Sequence, residues 1–390
     1  MSDYFPADLW IEILLKLPVK SLIRFTAVSK SWRSLITSPN FTSLHLSNSQ
    51  KNRAILRHYD EHDKQEHYRL LEFAAKNGAF AINSSSEFDF PLNSQIGYYR
   101  IVGSCDGLVC SIDDLFLFPS QSVVLWNPSV RNHVILPPAN TNPMEPHVVV
   151  LGFGIGNGVH KVVRIVYCRR PYDYGFGVPP QVEVFSLGAA NWRTVDGFNI
   201  KLRILEFMWS QVLLNGIVHW LGYEPIDDDA NSYNYSSRSS ILSFEIDNEV
   251  FGEVILPDVL ATGVASMCLF ASEGSLALVN YSVAFESKAC DVWMMKEYGV
   301  GASWTKLYRI ELVEGFDRVV GFRYGEALLA LNGLDLVAYN PESQGCRSLG
   351  IHGTPRSFYI DNYVESLLLL DGNREPAEED LNRDVLEGWV

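Results

Sequence analysis

The chain contains no apolar run of the roughly 18 residues that a membrane-crossing helix needs, so no membrane span is expected. Its first ten residues, Met1 to Trp10, lack the basic start and apolar stretch of a secretory leader. None of the six cysteines (Cys105, Cys110, Cys168, Cys268, Cys290, Cys346) sits in a CxxC pair. That spacing speaks against a zinc framework or a disulfide network, and for reduced thiols buried in apolar strands. Positive charge is scarce: 31 Lys and Arg face 46 Asp and Glu, a net charge of −15. So acidic a chain is a poor general binder of nucleic acid. There is no Gly-x-Ser-x-Gly nucleophile turn, no HExxH helix and no Walker loop. No acid, base or nucleophile set stands out, so catalysis is not expected and no cofactor or metal is implied.

What is present is ample core-forming material. The chain has 390 residues, 47% of them hydrophobic and 20% charged, with 12% aromatics, 28 Gly and 18 Pro. That length fits two domains, or one domain plus a repeat array, and the Gly, Pro and aromatic content leans toward an all-β body. The charge is unevenly placed. Residues 1–50 hold five Lys and Arg against three Asp and Glu, a net of +2, so the remainder carries −17. A basic head on an acidic body points to an acidic protein partner for the head.

Residues 5–41 have helical spacing. Leu9, Ile13, Leu14 and Leu17 form an apolar stripe, with Pro6 suited to the first turn and Pro18 ending the helix. A second helix is expected from Val19 to Val28, offering Leu22, Phe25 and Val28. A third is expected from Lys30 to Ile36, offering Trp32, Leu35 and Ile36, with Ser38-Pro39 as its stop. Three helices of this size hold too little core to stand alone, so their stripes need a partner or the next domain.

After about residue 50 the helical period gives way to short β-branched and aromatic runs. A turn glycine before an apolar strand recurs at Gly107, Gly158, Gly216, Gly274 and Gly325, at intervals of 51, 58, 58 and 51 residues. Each is followed by a strand with a central aromatic, Trp126, Phe185, Phe244, Trp293 or Tyr339, and then by one more strand. In the fourth repeat the strands read as Ser266–Ala271, Ser275–Tyr281, Cys290–Lys296 and Trp304–Glu311. Four-stranded repeats of about 50 residues predict a β-propeller of kelch-like length. Phe358–Asn362 and Glu365–Leu370 at one end, with Arg53–Tyr59 and Tyr68–Ala74 at the other, supply the strands of a sixth, composite blade that leaves the ring no free edge. The expected division is a helical head at 1–45, a propeller at 50–372 and an acidic, disordered tail at 373–390.

The head resembles the plant F-box. The residues that carry the likeness are Phe5-Pro6-Ala7-Asp8-Leu9, Glu12-Ile13-Leu14, Leu17 to Phe25, Val28-Ser29-Lys30-Ser31-Trp32, Leu35-Ile36, Ser38-Pro39 and Phe41. Phe5 departs from the usual Leu and Ser29 from a common Cys. The body resembles the F-box-associated, kelch-type domain of the same family. It does so through Gly103 to Cys110, Trp126-Asn127-Pro128-Ser129, Leu151 to Gly154, Lys161 to Arg164, Asn215 to Trp220, Asp291 to Val300 and Tyr363 to Leu367. After Gly154 the chain has a shorter turn than the family usually shows. The resemblance implies a fold that is mainly β, a three-helix F-box followed by a six-bladed propeller. It also implies a role in which the F-box binds a Skp-type adaptor of a cullin–RING ubiquitin ligase and the propeller holds a protein substrate. Such a protein works in the cytoplasm or nucleus. Relatives include repressors of plant immune signalling and S-locus proteins of pollen self-incompatibility, and the shared motifs are common to both. The adaptor contacts expected are Pro6, Leu9, Leu17, Pro18, Leu22, Val28 and Trp32, with Lys20, Arg24 and Lys30 steering toward an acidic partner.

Three other patterns have simpler readings. The helices are not a DNA-binding helix-turn-helix, because the turn carries Leu17-Pro18 and the body is acidic. Gly152 to Gly158 resembles a phosphate loop, but the segment after it is a strand, so no helix N-terminus is available to receive phosphate. His58, His62 and His67 read as surface histidines in or beside a hairpin turn. Substrate contacts are expected from long loops at Pro171–Pro180 and Glu224–Arg238, the latter pairing Asp227, Asp228 and Asp229 with Tyr233 and Tyr235 against a basic target. The rival readings are an interaction scaffold that assembles no ligase and a propeller enzyme.

Overall fold

The structure is a computed structural model that describes residues 7–49, 52–76, 79–94, 99–113, 122–140, 147–168, 180–196, 200–204, 211–225, 237–261, 266–281, 289–311, 316–333 and 335–370. The head holds four helices: α1 (Ala7–Leu14), α2 (Val19–Phe25), α3 (Lys30–Ile36) and α4 (Pro39–Asn48). The third has the expected bounds, and the Ser29 hydroxyl caps it by accepting from the Trp32 backbone N–H at 3.2 Å. The second ends early, where the Thr26 hydroxyl donates to the Ile23 carbonyl at 2.6 Å. The expectation of three helices is corrected to four. Ser38 and Pro39 do stop α3, but they also start α4: the Ser38 hydroxyl accepts from the Phe41 N–H, and Pro39 sits in the first turn.

The helices enclose a small core of Leu14, Val19, Leu22, Ile36 and Phe41, and two residues from the body complete it, Val130 and Leu367. The expected need for outside burial is therefore met within the chain. Leu22 has no exposed surface. It belongs to this core and has none to offer a partner, which corrects its assignment as an adaptor contact.

The body is a six-bladed β-propeller. Blade one joins both ends of the chain, with β1 (Arg53–Asp60), β2 (Gln65–Lys76) and β3 (Ala79–Phe88) followed at the far end of the sequence by β25 (Tyr359–Tyr363). The spatial order is β25-β1-β2-β3. Blade two is β4 (Arg100–Cys105), β5 (Leu108–Asp113), β6 (Ser122–Asn127) and β7 (Asn132–Ile135). Blade three is β8 (His147–Gly156), β9 (Val159–Cys168), β10 (Gln181–Ser186) and β11 (Arg193–Val195). Blade four splits its first strand into β12 (Arg203–Ile204) and β13 (Val212–Leu214), and continues with β14 (Ile217–Pro225), β15 (Ser237–Glu245) and β16 (Val250–Val254). Blade five is β17 (Ser266–Ser272), β18 (Ser275–Tyr281), β19 (Cys290–Met295) and β20 (Trp304–Ile310). Blade six is β21 (Phe316–Arg323), β22 (Glu326–Leu331), β23 (Asp335–Asn340) and β24 (Gly345–His352). All pairings are antiparallel within each sheet.

The five repeat glycines have a common geometry. Each is the second residue of a two-residue hairpin turn, and both turn residues have positive φ, from Asp106 (49°) and Gly107 (82°) to Tyr324 (48°) and Gly325 (76°). This is the turn whose twist matches a β-hairpin, and it needs φ > 0 twice. Gly152 is required for a different reason. A Cβ there would lie 2.5 Å from the Trp220 ring of the next blade, so glycine lets two blades approach.

Blade one is composite, as the sequence led one to expect, but it divides one strand from three and not two from two. Val364 to Leu370 forms no strand. It is a strap laid against blade two and the head, and it brings three of the sequence motifs together. Asn127, fully buried, donates from Nδ2 to the carbonyls of Ser366 (3.0 Å) and Leu368 (2.8 Å) and accepts from the Ser129 N–H at 3.0 Å. Ser129 in turn shares a 2.7 Å hydrogen bond with the Tyr363 hydroxyl. Arg53 pairs with Glu365 at 2.6 Å, and the Ser49 hydroxyl donates to the Glu365 carbonyl at 3.1 Å. Replacing Asn127 with Ala strands two buried carbonyls and one N–H, and is expected to cost roughly 2 kcal/mol in urea unfolding. A loss inside the scatter of repeat measurements would rule out a clamping role for this residue.

Candidate interaction surfaces

Two faces of the molecule are available to partners. The first is on the head. The α1 stripe divides: Leu14 turns into the core, while Leu9 and Ile13, one helical turn apart, are 43% and 51% exposed. Val28, in the turn before α3, is 64% exposed. Pro18 is exposed as well, and Leu17 and Trp32 are half-buried. Trp32 lies between Trp10 (5.7 Å between ring centroids) and Phe25 (5.2 Å), which joins α1, α2 and α3. Leu9, Leu17, Pro18, Val28 and Trp32 thus keep surface for a partner, and Pro6 lies outside the described residues. Ile13 was not singled out, although its i+4 spacing from Leu9 signalled a shared face.

The second face follows from strand order. In an antiparallel blade the first and third turns fall at one end and the second at the other. Val130, which seats the head, is in the third turn of blade two, between β6 and β7. The head therefore sits at the tight-turn end. The connections between second and third strands leave from the opposite end, and in blades two to five they are long: 8, 12, 11 and 8 residues. The expected substrate residues Asp227, Asp228, Asp229, Tyr233 and Tyr235 lie outside the described residues. So does nearly all of Pro171–Pro180. The strand ends that carry them, Cys168 and Gln181, Pro225 and Ser237, are at the end away from the head.

Between the two faces runs the central channel, where a cavity of about 130 Å³ is lined by the inner strands β13, β17, β21 and β25. Its polar groups hold the ring closed. Gln211 exchanges two hydrogen bonds with the backbone of Phe153. Asp361 accepts from the Ser104 N–H at 3.0 Å and the Tyr359 hydroxyl at 3.0 Å, so it joins β25 to β4. Burial pushes its carboxyl above the usual range despite those donors. Arg323 reaches the Asn362 side chain, and Arg318 the Phe358 carbonyl.

Of the three histidines near the first hairpin, His62 is exposed in the turn and His67 lies beside it, but His58 differs from the sequence reading. His58 is not a loop residue. It is 1% exposed in β1, stacked between His67 (5.1 Å) and Phe358 (5.8 Å). His67 belongs to β2, where it is bound to Asp63 at 2.8 Å and to Glu87. His219, also fully buried, makes a 3.1 Å hydrogen bond from Nδ1 to the Val212 carbonyl and a 2.7 Å bond between Nε2 and the Tyr298 hydroxyl. The neutral ring satisfies both partners when Nδ1 carries the proton. Burial lowers the pKa of both His58 and His219 to about 4. The unfolded chain, with values near 6.5, takes up these protons first as pH falls. Stability is therefore fully present above pH 6.5 and is lost between 6.5 and 4, by roughly 2 kcal/mol per histidine from pH 7 to pH 5. Urea unfolding at the two pH values checks this, and His58→Phe should remove part of the loss. An unchanged slope in that variant would count against His58 as a source.

Among the described residues, two groups of side chains have metal-ligand chemistry. Asp60, Asp63 and His67 form one, in which His67 is already bonded to Asp63. Cys105, Asp106 and His160 form the other. All six cysteines are free; Cys105, Cys110 and Cys290 are buried and Cys168 and Cys268 partly so, but Cys346 is exposed, contrary to the expectation for strand cysteines.

Comparison with known proteins gives the same two-part division. The sequence pattern of the F-box domain matches residues 3–44, and that of the F-box associated beta propeller domain matches residues 68–331. Among curated relatives, an F-box/kelch-repeat protein of Arabidopsis thaliana, At3g23880, is 28% identical over 86% of this chain and 87% of its own length. The F-box protein CPR1 of the same plant is 28% identical over 93% of this chain and 88% of its own. Among solved structures, the tricorn protease aligns with a TM-score of 0.40 at 7% identity, over 81% of this chain and 31% of its own.

Proposed function

The chain belongs to the F-box-associated β-propeller family and carries an F-box at its head, and from that premise we propose that it is the substrate-recruiting subunit of a Skp–cullin–F-box ubiquitin ligase. The head binds a Skp-type adaptor, and the propeller holds a target protein for ubiquitination. The observation that carries this reading is the division of the head's apolar residues. Leu14, Leu22, Ile36 and Phe41 are consumed by the core shared with Val130 and Leu367, while Leu9, Ile13 and Val28 are left outside it.

The subunit acts without chemistry of its own. Holding a target near a ubiquitin-charged enzyme raises the effective concentration of the reacting groups. For that the target must be held at a fixed place relative to the adaptor. The strap supplies this rigidity, because Leu367 is in the core of the head and Tyr363 in the inner strand of blade one. Target contacts then come from the long connections at the end away from the head, with Asp227, Asp228, Asp229, Tyr233 and Tyr235 as candidates for a basic target. The reaction belongs in the cytoplasm or nucleus, and immune regulation and pollen self-incompatibility are two processes it would suit. Co-expression of the full chain with a Skp-type adaptor tests the first step. A stable one-to-one complex on gel filtration is expected, and separate elution of the two folded proteins would refute the reading.

A further inference from the structure

The turn between β4 and β5 places three ligand atoms beside the next blade. Cys105 ends β4, and Asp106 follows with φ 49° in the hairpin turn. His160 is on β9 of blade three, opposite Ile155 across the β8–β9 hairpin. The Cys105 thiol, the Asp106 carboxylate and a ring nitrogen of His160 all lie within 4.8 Å of one another. Cys105 is 8% and His160 7% exposed, and Asp106 is half-buried.

An independent observation concerns the His160 ring. It stacks on Phe153 at 5.8 Å with 17° between the planes, which fixes its orientation. Its Nε2 is buried and has no hydrogen-bond partner among the described residues. A buried, unpartnered imidazole nitrogen is costly unless something binds it. In the neutral tautomer with its proton on Nδ1, Nε2 offers a lone pair to a cation.

We propose that Cys105, Asp106 and His160 bind a zinc ion that ties blade two to blade three. The donor set of one thiolate, one imidazole and one carboxylate suits zinc among divalent ions. With metal–ligand lengths of roughly 2.0–2.3 Å, tetrahedral donors stand about 3.5 Å apart, so a small closure of the cluster completes the site. The fourth position goes to water on the Asp106 side, which is the exposed one. Zinc replaces the proton of the Cys105 thiol: the S–H bond breaks, the zinc–sulfur bond forms, and one proton goes to solvent. The site adjoins the strap, because Gly107 packs against Ser366. Metal would therefore stiffen the part of the ring that carries the head. The 55-residue gap between Cys105 and His160 is why spacing rules do not find it.

Cobalt(II) titration of the metal-stripped full chain tests the proposal. One equivalent is expected to bind with a thiolate-to-cobalt absorption band in the near ultraviolet, to be displaced by zinc, and to release one proton. Apparent affinity should rise about tenfold per pH unit around neutrality. The cluster of Asp60, Asp63 and His67 has no thiol and cannot give that band. Cys105→Ser should abolish the band, and His160→Gln should weaken binding at least tenfold in a chain that still unfolds cooperatively. Should Cys105→Ser fail to fold, the His160→Gln titration and the wild-type proton count decide in its stead. No band at micromolar cobalt, a band that survives Cys105→Ser, or unchanged affinity in His160→Gln would each overturn the site.

Discussion

Leu9→Asp combined with Val28→Asp is expected to lower the affinity of the full chain for a Skp-type adaptor by roughly three orders of magnitude, with little change in melting temperature. The two halves of this result have one cause. Both side chains are large, apolar and exposed, at 43% and 64%, so the folded chain loses almost no packing when they are replaced. Exposed substitutions of this kind usually change stability by about 0.5 kcal/mol or less. At an interface each loses roughly 1.5–3 kcal/mol of burial, and an unpaired carboxylate adds a desolvation penalty. A total of about 4 kcal/mol corresponds to a thousandfold in the dissociation constant. Leu22→Ala is the contrast. It opens a cavity in the core of the head, costs roughly 2–5 kcal/mol of stability, and weakens binding only through unfolding. Calorimetric titration with thermal melts on the same samples separates the two. If the double variant binds within threefold of the parent, the apolar face outside the core is not the docking surface.

The ring was largely legible because a propeller repeats its local rules. Paired positive-φ turns need glycine in one register, and the buried strands after them carry apolar runs. The fourth repeat shows this: its strands begin at Ser266, Ser275, Cys290 and Trp304, where the sequence placed them. The misreadings lie where tertiary contacts overrule local pattern. Helix α4 is rich in Ser, Thr and Asn, poor helix formers, and its sequence has no strong apolar stripe. It is held instead by burial of Phe41 and by a 2.9 Å hydrogen bond from His45 Nε2 to the Leu17 carbonyl, 28 residues away. Strand β3 was missed because an outermost strand need bury little, and residues 81–88 are mostly polar. Glu365 to Leu370 reads as a strand by its apolar run, but Leu367 fills the head core and Leu368 and Leu370 the blade two–three core. The head surface was half legible. Period gave the stripe but not which side of it the body would claim, so Leu22 was misplaced and Ile13 passed over.

Ending the chain after Arg356 is expected to abolish the cooperative unfolding of the propeller. Blade one then loses β25, which pairs with β1 from Arg53↔Tyr363 to Arg57↔Tyr359 and is the inner strand against the channel. An open propeller exposes the unpaired edge of β1, the kind of edge that closure exists to remove. The same cut removes Phe358 and Tyr363, both fully buried, and the Asp361 carboxylate that joins β25 to β4. It also removes the strap, leaving Asn127 without its two carbonyls and the head core without Leu367. Tyr363→Ala alone should cost roughly 3–5 kcal/mol, the usual range for truncating a large buried aromatic. Removing a whole strand and strap exceeds the 5–15 kcal/mol by which domains are usually stable. The control is a chain ended after Leu370, which keeps both pieces and should melt like the parent. Adding the peptide 357–370 back to the shortened chain should restore a single transition, because the missing strand is an inner one with its pairing partner still present. A shortened chain that melts cooperatively within a few degrees of the control would mean that blade one closes without β25, and the ring would owe its stability to the other five.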